Sequence, residues 1–297
     1  METGEASANT LNARQRDGGG KRTPRESLEE YGRGLAGGLL FSLPMLYTME
    51  IWWAGLFVNS PLLLISVSVT FLLLLGYNRY AGLREDASFW EVAIDSVEEM
   101  GIGLLVAALV LFCIGQITTA MSIGEIIGKI VVESMTVAVG ISIGTAQLGG
   151  ARSGADESGM SDDQKKTPNT VGQLVLAFCG AILFAANVGP TEEIQVVATE
   201  ATSLKLLALA AFSLLIGAII LLYSGFVGSK AHIRSGGYFW ALYGVVSAYA
   251  AALLASTVML WFFQRFEGFS VVICVSQIVV LAFPAMLGAS AGRLLIQ

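Results

Sequence analysis

Two stretches decide the fold: LFSLPMLYTMEI at residues 40–51 and LFAANVGPTEEI at residues 183–194. Set 143 positions apart they align without a gap, so that Leu40, Phe41, Thr48, Glu50 and Ile51 meet Leu183, Phe184, Thr191, Glu193 and Ile194. The same offset brings Tyr80 and Gly82 onto Tyr223 and Gly225. After a seven-residue difference in one loop, Phe89-Trp90 meets Phe239-Trp240, and Leu104 and Phe112 meet Leu254 and Phe262. Leucine matches are cheap in apolar helices, whereas Thr-x-Glu-Ile and Phe-Trp are not. The chain reads as two tandem repeats.

Outward from these stretches the sequence is mostly apolar. Of its 297 residues 55% are hydrophobic and only 13% charged, against roughly 25% charged in a soluble domain. The apolar residues come in continuous blocks, as helices crossing a hydrocarbon core about 30 Å thick require, and not in the alternating strands of a barrel. Eight spans are expected near 35–57, 61–80, 89–115, 121–148, 171–190, 203–225, 238–263 and 269–294. The expected fold is an all-α membrane protein of about eight transmembrane helices in two tandem four-helix repeats. The expected divisions are a disordered cytoplasmic tail (1–33), a first repeat (34–150), a polar cytoplasmic linker (151–170) and a second repeat (171–297). Lys and Arg set the orientation. One side holds fourteen of the seventeen, leaving Lys129, Lys205 and Arg265 for the other. By the positive-inside rule both termini are cytoplasmic, and an even span number gives both repeats the same orientation.

The candidate chemistry lies in acids at membrane depth. Glu50 and Glu193 occupy equivalent positions, each with a proline shortly before it (Pro44, Pro190). Proline removes a helix hydrogen bond and frees a carbonyl, and with Glu192 alongside, the pair suggests an oxygen-ligand site in the outer half of spans 1 and 5. Span 4 carries Glu125, Lys129 and Glu133 on one face. Lys129 is expected to bridge to Glu125, leaving Glu133 near the midplane, where a charge costs about 2.5 to 3.5 kcal/mol on insertion scales. Shifted by one in the repeat alignment, Glu133 meets Gln277, so these two form a second ion-binding layer. At the start of span 3, Glu91, Asp95, Glu98 and Glu99 share a stripe absent from the second repeat, a candidate cytoplasmic vestibule or proton relay. The bland alternatives are that Glu192 lies in an outer loop, that Glu133 makes a structural helix–helix hydrogen bond, and that the stripe is a solvated helix start.

The function expected from these residues is an integral membrane cation channel or transporter. Glu50, Glu193 and Glu133 would be the metal-binding carboxylates, a hard cation such as calcium is favoured by all-oxygen ligands, and proton coupling is an option. The alternative is a non-transporting sensor, lipid-binding or assembly protein whose acids lock helices together. No enzyme is expected, because an activated nucleophile and a histidine at depth are both lacking. The three cysteines, all in apolar segments, read as small buried hydrophobes, and the lone His232 falls in a basic connector. No organic cofactor is expected; a bound divalent cation is the one candidate. Expected partners are membrane lipid, an inorganic cation and a second copy of the chain, with no nucleic acid.

LPMLYTMEIWW and NVGPTEEI resemble signature segments of a bacterial family of polytopic integral membrane proteins catalogued as a domain of unknown function. The likeness spans roughly residues 34–297. It implies a multi-pass protein of the bacterial inner membrane and supplies no activity.

Overall fold

The computed structural model describes residues 24–81, 88–149, 170–223 and 227–294. They form ten helices: α1 (Pro24–Leu46), α2 (Met49–Phe57), α3 (Ser60–Ala81), α4 (Phe89–Cys113), α5 (Ile123–Gly149), α6 (Thr170–Val188), α7 (Glu192–Glu200), α8 (Ser203–Tyr223), α9 (Val227–Phe262) and α10 (Val271–Leu294). Among the described residues there is no strand. Seven helices are long and apolar enough to cross a membrane, or up to eight spans if the bent pair α1–α2 counts as one. The expected linker 151–170 lies almost wholly outside the described residues, as does most of the tail.

Two expectations about the spans need correction. Span 1 is broken: Gly34–Leu46 and Met49–Phe57 meet at 85°. The basic connector before span 7 is instead the start of α9, a helix of 36 residues that rises about 54 Å and outreaches the bilayer.

The elements recur along the chain. α2 and α7 start 143 residues apart and are both nine residues long, and α3 and α8 start 143 residues apart. Packing follows the same pattern in each half. α5 touches α1, α2, α3 and α4, while α10 touches α6, α7, α8 and α9. α5 is the hub of its half, with 72% of its span buried, whereas α8 is only 11% buried and faces outward. Across the halves α6 meets α1, α3 and α5.

Small residues bring the hub helices to backbone contact. A Cβ on Gly37 of α1 would overlap the Gly144 Cα, and one on Gly140 would come 3.1 Å from the Gly38 Cα. In the second half a Cβ on Gly180 of α6 would overlap the Gly288 carbonyl, and one on Gly288 the Gly180 carbonyl. Without a hydrophobic drive between helices in lipid, such close approach is what supplies the packing energy. The Gly-x-x-x-Gly spacings at 140/144 and 288/292 are helix contacts.

Both long helices ahead of the hubs end alike. Gly115 after α4 has φ +76, and the Gln116 N–H reaches back to the Leu111 carbonyl at 2.8 Å. After α9 the left-handed residue is Gln264, at φ 56, with the Arg265 N–H on the Leu260 carbonyl at 2.8 Å. These are the bonds of a glycine-type helix stop, made in one case without the glycine. Gln264→Gly is expected to stabilise the protein by about 0.5 to 1 kcal/mol, the relief of left-handed strain less the added freedom of unfolded glycine. Thermal unfolding in detergent checks it; an unchanged or lower midpoint contradicts the strain.

Candidate functional site

The outer acids are helix-start residues. Thr48 and Thr191 precede α2 and α7 in extended conformation, and Glu50, Glu192 and Glu193 occupy the first turns. A carboxylate there faces the positive end of the helix dipole and the unpaired N–H groups. Glu50 is half-buried, and Glu192 and Glu193 are exposed. They therefore sit where short helices turn away from the spans, not in the outer half of continuous ones.

Several carbonyls around the two prolines accept side-chain donors. The Asn187 side chain, from the end of α6, donates Nδ2–H to the Phe41 carbonyl at 3.0 Å and accepts the Met45 N–H on Oδ1 at 3.2 Å. Phe41 and Met45 lie on either side of Pro44, so one amide from the end of α6 ties this part of α1 to the other half. The Thr48 hydroxyl donates to the Pro44 carbonyl at 2.5 Å and the Thr191 hydroxyl to the Val188 carbonyl at 2.8 Å.

Arg265, half-buried in the α9–α10 loop, supplies the cation on this face. Burial lowers its affinity for its proton, and Glu192, Glu50 and Glu193 together oppose that shift. In return the Glu193 carboxyl is held below the usual carboxylate value, first by its own backbone N–H, then by Thr191, and last by Arg265. The stability from a lowered carboxylate is complete above an unfolded value of about 4.3 and fades as pH falls through the lower folded value. Hydrogen exchange at α7 and the 263–270 loop should therefore speed up below that range, and not between neutral pH and pH ~5. Faster exchange already at pH ~5 would contradict the lowered carboxyl.

Among the described residues no three His, Cys, Asp or Glu side chains lie close enough to share an ion. Any ion at the expected outer pair, Glu50 and Glu193, or at the deeper Glu133 layer would therefore need other oxygen ligands.

Nor does Lys129 bridge to Glu125. Glu125 instead forms a capping box: its carboxylate accepts the Ser122 N–H at 2.7 Å, and the Ser122 Oγ accepts the Glu125 N–H at 3.3 Å. The buried Lys129 donates to the Gln116 carbonyl at 3.0 Å. The bare backbone of Gly55 makes this possible, since a Cβ there would come 2.6 Å from the Lys129 Cα.

Glu133 and Gln277 are both fully buried, and their side-chain oxygens and nitrogen have no hydrogen-bond partner. They are therefore not bonded to each other. The glycine contacts also set a different register, 140/144 against 288/292, in which Gln277 takes the place of Lys129 and Glu133 that of Leu281. The expected pairing is off by one helical turn. Thr136, one turn from Glu133, donates to the Glu133 carbonyl at 3.2 Å and to the Met45 sulfur at 3.0 Å. It lines a cavity of about 50 Å³ that also includes Ser66, Thr70, Ile182 and Met259. The atoms facing this cavity are almost all apolar, so it offers little to hold an ordered water.

The stripe at the start of α4 divides. Glu91 caps the helix with Ser88, accepting its N–H at 2.7 Å. Glu98 accepts the Tyr31 hydroxyl from α1. Glu99 accepts the Asn78 Nδ2–H at 2.7 Å, while Asn78 Oδ1 accepts the Ser142 hydroxyl at 2.7 Å. Asp95 is half-buried on the same helix. Asn78, which sequence reasoning passed over, thus ties α3, α4 and α5 together. Its one signal was an amide near the end of an apolar run. Of the cysteines, Cys179 is buried, Cys274 half-buried and Cys113 exposed, against the expectation that all three are buried.

Long apolar helices, with acids and amides turned into the bundle, define a polytopic integral membrane protein. The chain belongs to the family described as "Putative integral membrane protein (DUF2391)", which matches residues 30–296. No curated protein and no solved structure is similar enough to extend the comparison.

Proposed function

We propose that the protein moves cations across a bacterial inner membrane, with Glu133 as the group that binds and releases them and the proton as the first candidate. The observation that carries this is Glu133 itself, fully buried within the most buried span, with neither carboxylate oxygen partnered. An uncompensated charge in such a place costs several kcal/mol, so the group needs a proton or a cation as its companion. Polar side chains continue from it along α5. Lys129 lies about one turn toward the outer end, Thr136 about one turn inward, and Ser142 about 9 Å further on, where Asn78 and Glu99 take over.

Calcium fits this arrangement less well than the residue types suggest, because it takes about six to eight oxygen ligands and no three acids cluster among the described residues. The two halves are read as tandem repeats with both termini cytoplasmic, supported by the shared element spacing, the matching hub contacts and the distribution of Lys and Arg. Catalysis and organic cofactors have no part in this reading. A second reading, a non-transporting assembly or lipid-binding protein, is favoured by one observation: the outer acids surround Arg265, which leaves them structural.

Proton flux into liposomes of purified protein tests the proposal, with sodium and calcium in parallel. Glu133→Gln should abolish flux while the unfolding midpoint in detergent stays level or rises, since a neutral isostere replaces an unpaired carboxyl. Glu50→Gln/Glu193→Gln should retain most of it. No wild-type flux of any of the three ions under voltage or pH gradients would favour the second reading.

A further inference from the structure

On the outside of the bundle, α3, α6 and α9 leave an open apolar groove of about 640 Å³. Leu72, Leu174 and Leu254 on its walls are 65%, 37% and 57% exposed. Gly76 keeps it narrow at one point, where a Cβ would meet Val175 at 2.8 Å. From Val69 to Gly76 on α3, and from Ser247 to Leu254 on α9, it runs about 10 Å, two thirds of one leaflet's hydrocarbon depth of about 15 Å.

At the Leu174 and Ser247 end lies a cation. Arg293 of α10 donates Nη1–H to the Gly244 carbonyl and to Ser247 Oγ (3.4 Å), and Nη2–H to Gln173 Oε1 at 2.6 Å. Gly244 makes room, since a Cβ there would come 3.3 Å from Nη2. All three acceptors are neutral, so among the described residues no acid neutralises the guanidinium, which stays charged at any physiological pH. Its Nε is enclosed by the protein and has no partner among the described residues, so only the Nη groups can face a ligand. An apolar channel ending near a guanidinium with no acidic partner among the described residues matches a lipid with a negative headgroup, because a phosphate oxygen takes a charge-assisted N–H bond from arginine. A second copy of the chain would have to bury that charge against apolar protein, which is unfavourable.

We propose that this groove holds an acyl chain of an anionic phospholipid whose phosphate is bound by Arg293. The site is independent of any transport by Glu133.

The test is native mass spectrometry of the full chain extracted from vesicles of equimolar dioleoyl phosphatidylglycerol and dioleoyl phosphatidylcholine. Wild type should retain phosphatidylglycerol over phosphatidylcholine by about tenfold, the ratio that one charge-assisted hydrogen bond supports. Arg293→Lys should keep a preference and Arg293→Gln should lose it. Ala250→Trp fills the groove from an exposed position and leaves Arg293 untouched; it should lower retention of both lipids. Equal wild-type retention, phosphatidylglycerol retention unaltered by Ala250→Trp, or lipid-free dimers would each overturn the proposal. If Arg293→Gln fails to fold, Ala250→Trp alone decides.

Discussion

Gly180→Val is expected to separate α6 from α10 and to cost roughly 3 kcal/mol or more, at the upper end of overpacking penalties. The reason is the identity of the atom in the way. A Cβ at 180 meets the Gly288 carbonyl and would lie 3.2 Å from the Gly292 Cα. Flexible side chains yield to an added methyl group, but two helix backbones in contact must move apart as units. Separation would also undo the neighbouring fit of Gly292 against Leu176. The measurement is the unfolding midpoint and the monodispersity of the variant in detergent. Gly101→Ala is the control, since a Cβ there has nothing within 4 Å; it should gain up to about 1 kcal/mol from helix propensity. A Gly180→Val protein as stable as wild type would mean that α6 and α10 do not touch as described.

Asn187→Ala is expected to destabilise by roughly 2 to 5 kcal/mol. It removes the partners of the Phe41 carbonyl and the Met45 N–H, and each buried backbone group left unsatisfied costs about 1 to 3 kcal/mol. Asn187→Asp tests the donor side. The carboxylate still accepts the Met45 N–H but sets an anionic oxygen against the Phe41 and Leu183 carbonyls, to which the amide donated at 3.0 and 2.7 Å. A loss at least as large as that of Asn187→Ala is therefore expected. A loss below about 1 kcal/mol for Asn187→Ala would show that the Phe41 carbonyl and the Met45 N–H are satisfied without it, and that the bend does not depend on the other half.

The spans were legible because continuous apolar blocks leave few alternatives in a chain this hydrophobic. The break at Tyr47–Thr48 was not, because MEIWWAGLFV stays apolar beyond it, and hydropathy carries no information about direction. A weaker signal was present: threonine followed by acids marks a helix start, at 48–50 and again at 191–193. The capping boxes were equally readable as Ser-x-x-Glu at 88/91 and 122/125, and they reassign two acids that the polar-at-depth argument had drawn toward transport. The Arg265 cluster and the Asn187 bridge were out of reach. Their partners lie in different halves of the chain, and the side chains give no hint of which distant group they will meet. Glu133 is the reverse case, where a carboxyl amid apolar residues was conspicuous in the sequence and lies buried and partnerless in the fold.

The 85° bend in the first span also fixes how the bilayer must meet the protein. The apolar part of α1 before the bend, Gly34–Leu46, rises only about 20 Å, since the helix's earlier turns carry Arg25, Glu26, Glu29, Glu30 and Arg33. By contrast, α6 beside it rises about 28 Å over Thr170–Val188. Leu40 and Leu43 are 72% and 50% exposed on the short side, so lipid tails, not protein, cover them. A membrane of ordinary thickness is then about 10 Å too tall on that flank. Thinning the bilayer there costs fractions of a kcal/mol for each ångström of mismatch. Such a flank is expected to favour thin, short-chain membranes and, in thicker ones, to draw a one-sided dimple around α1.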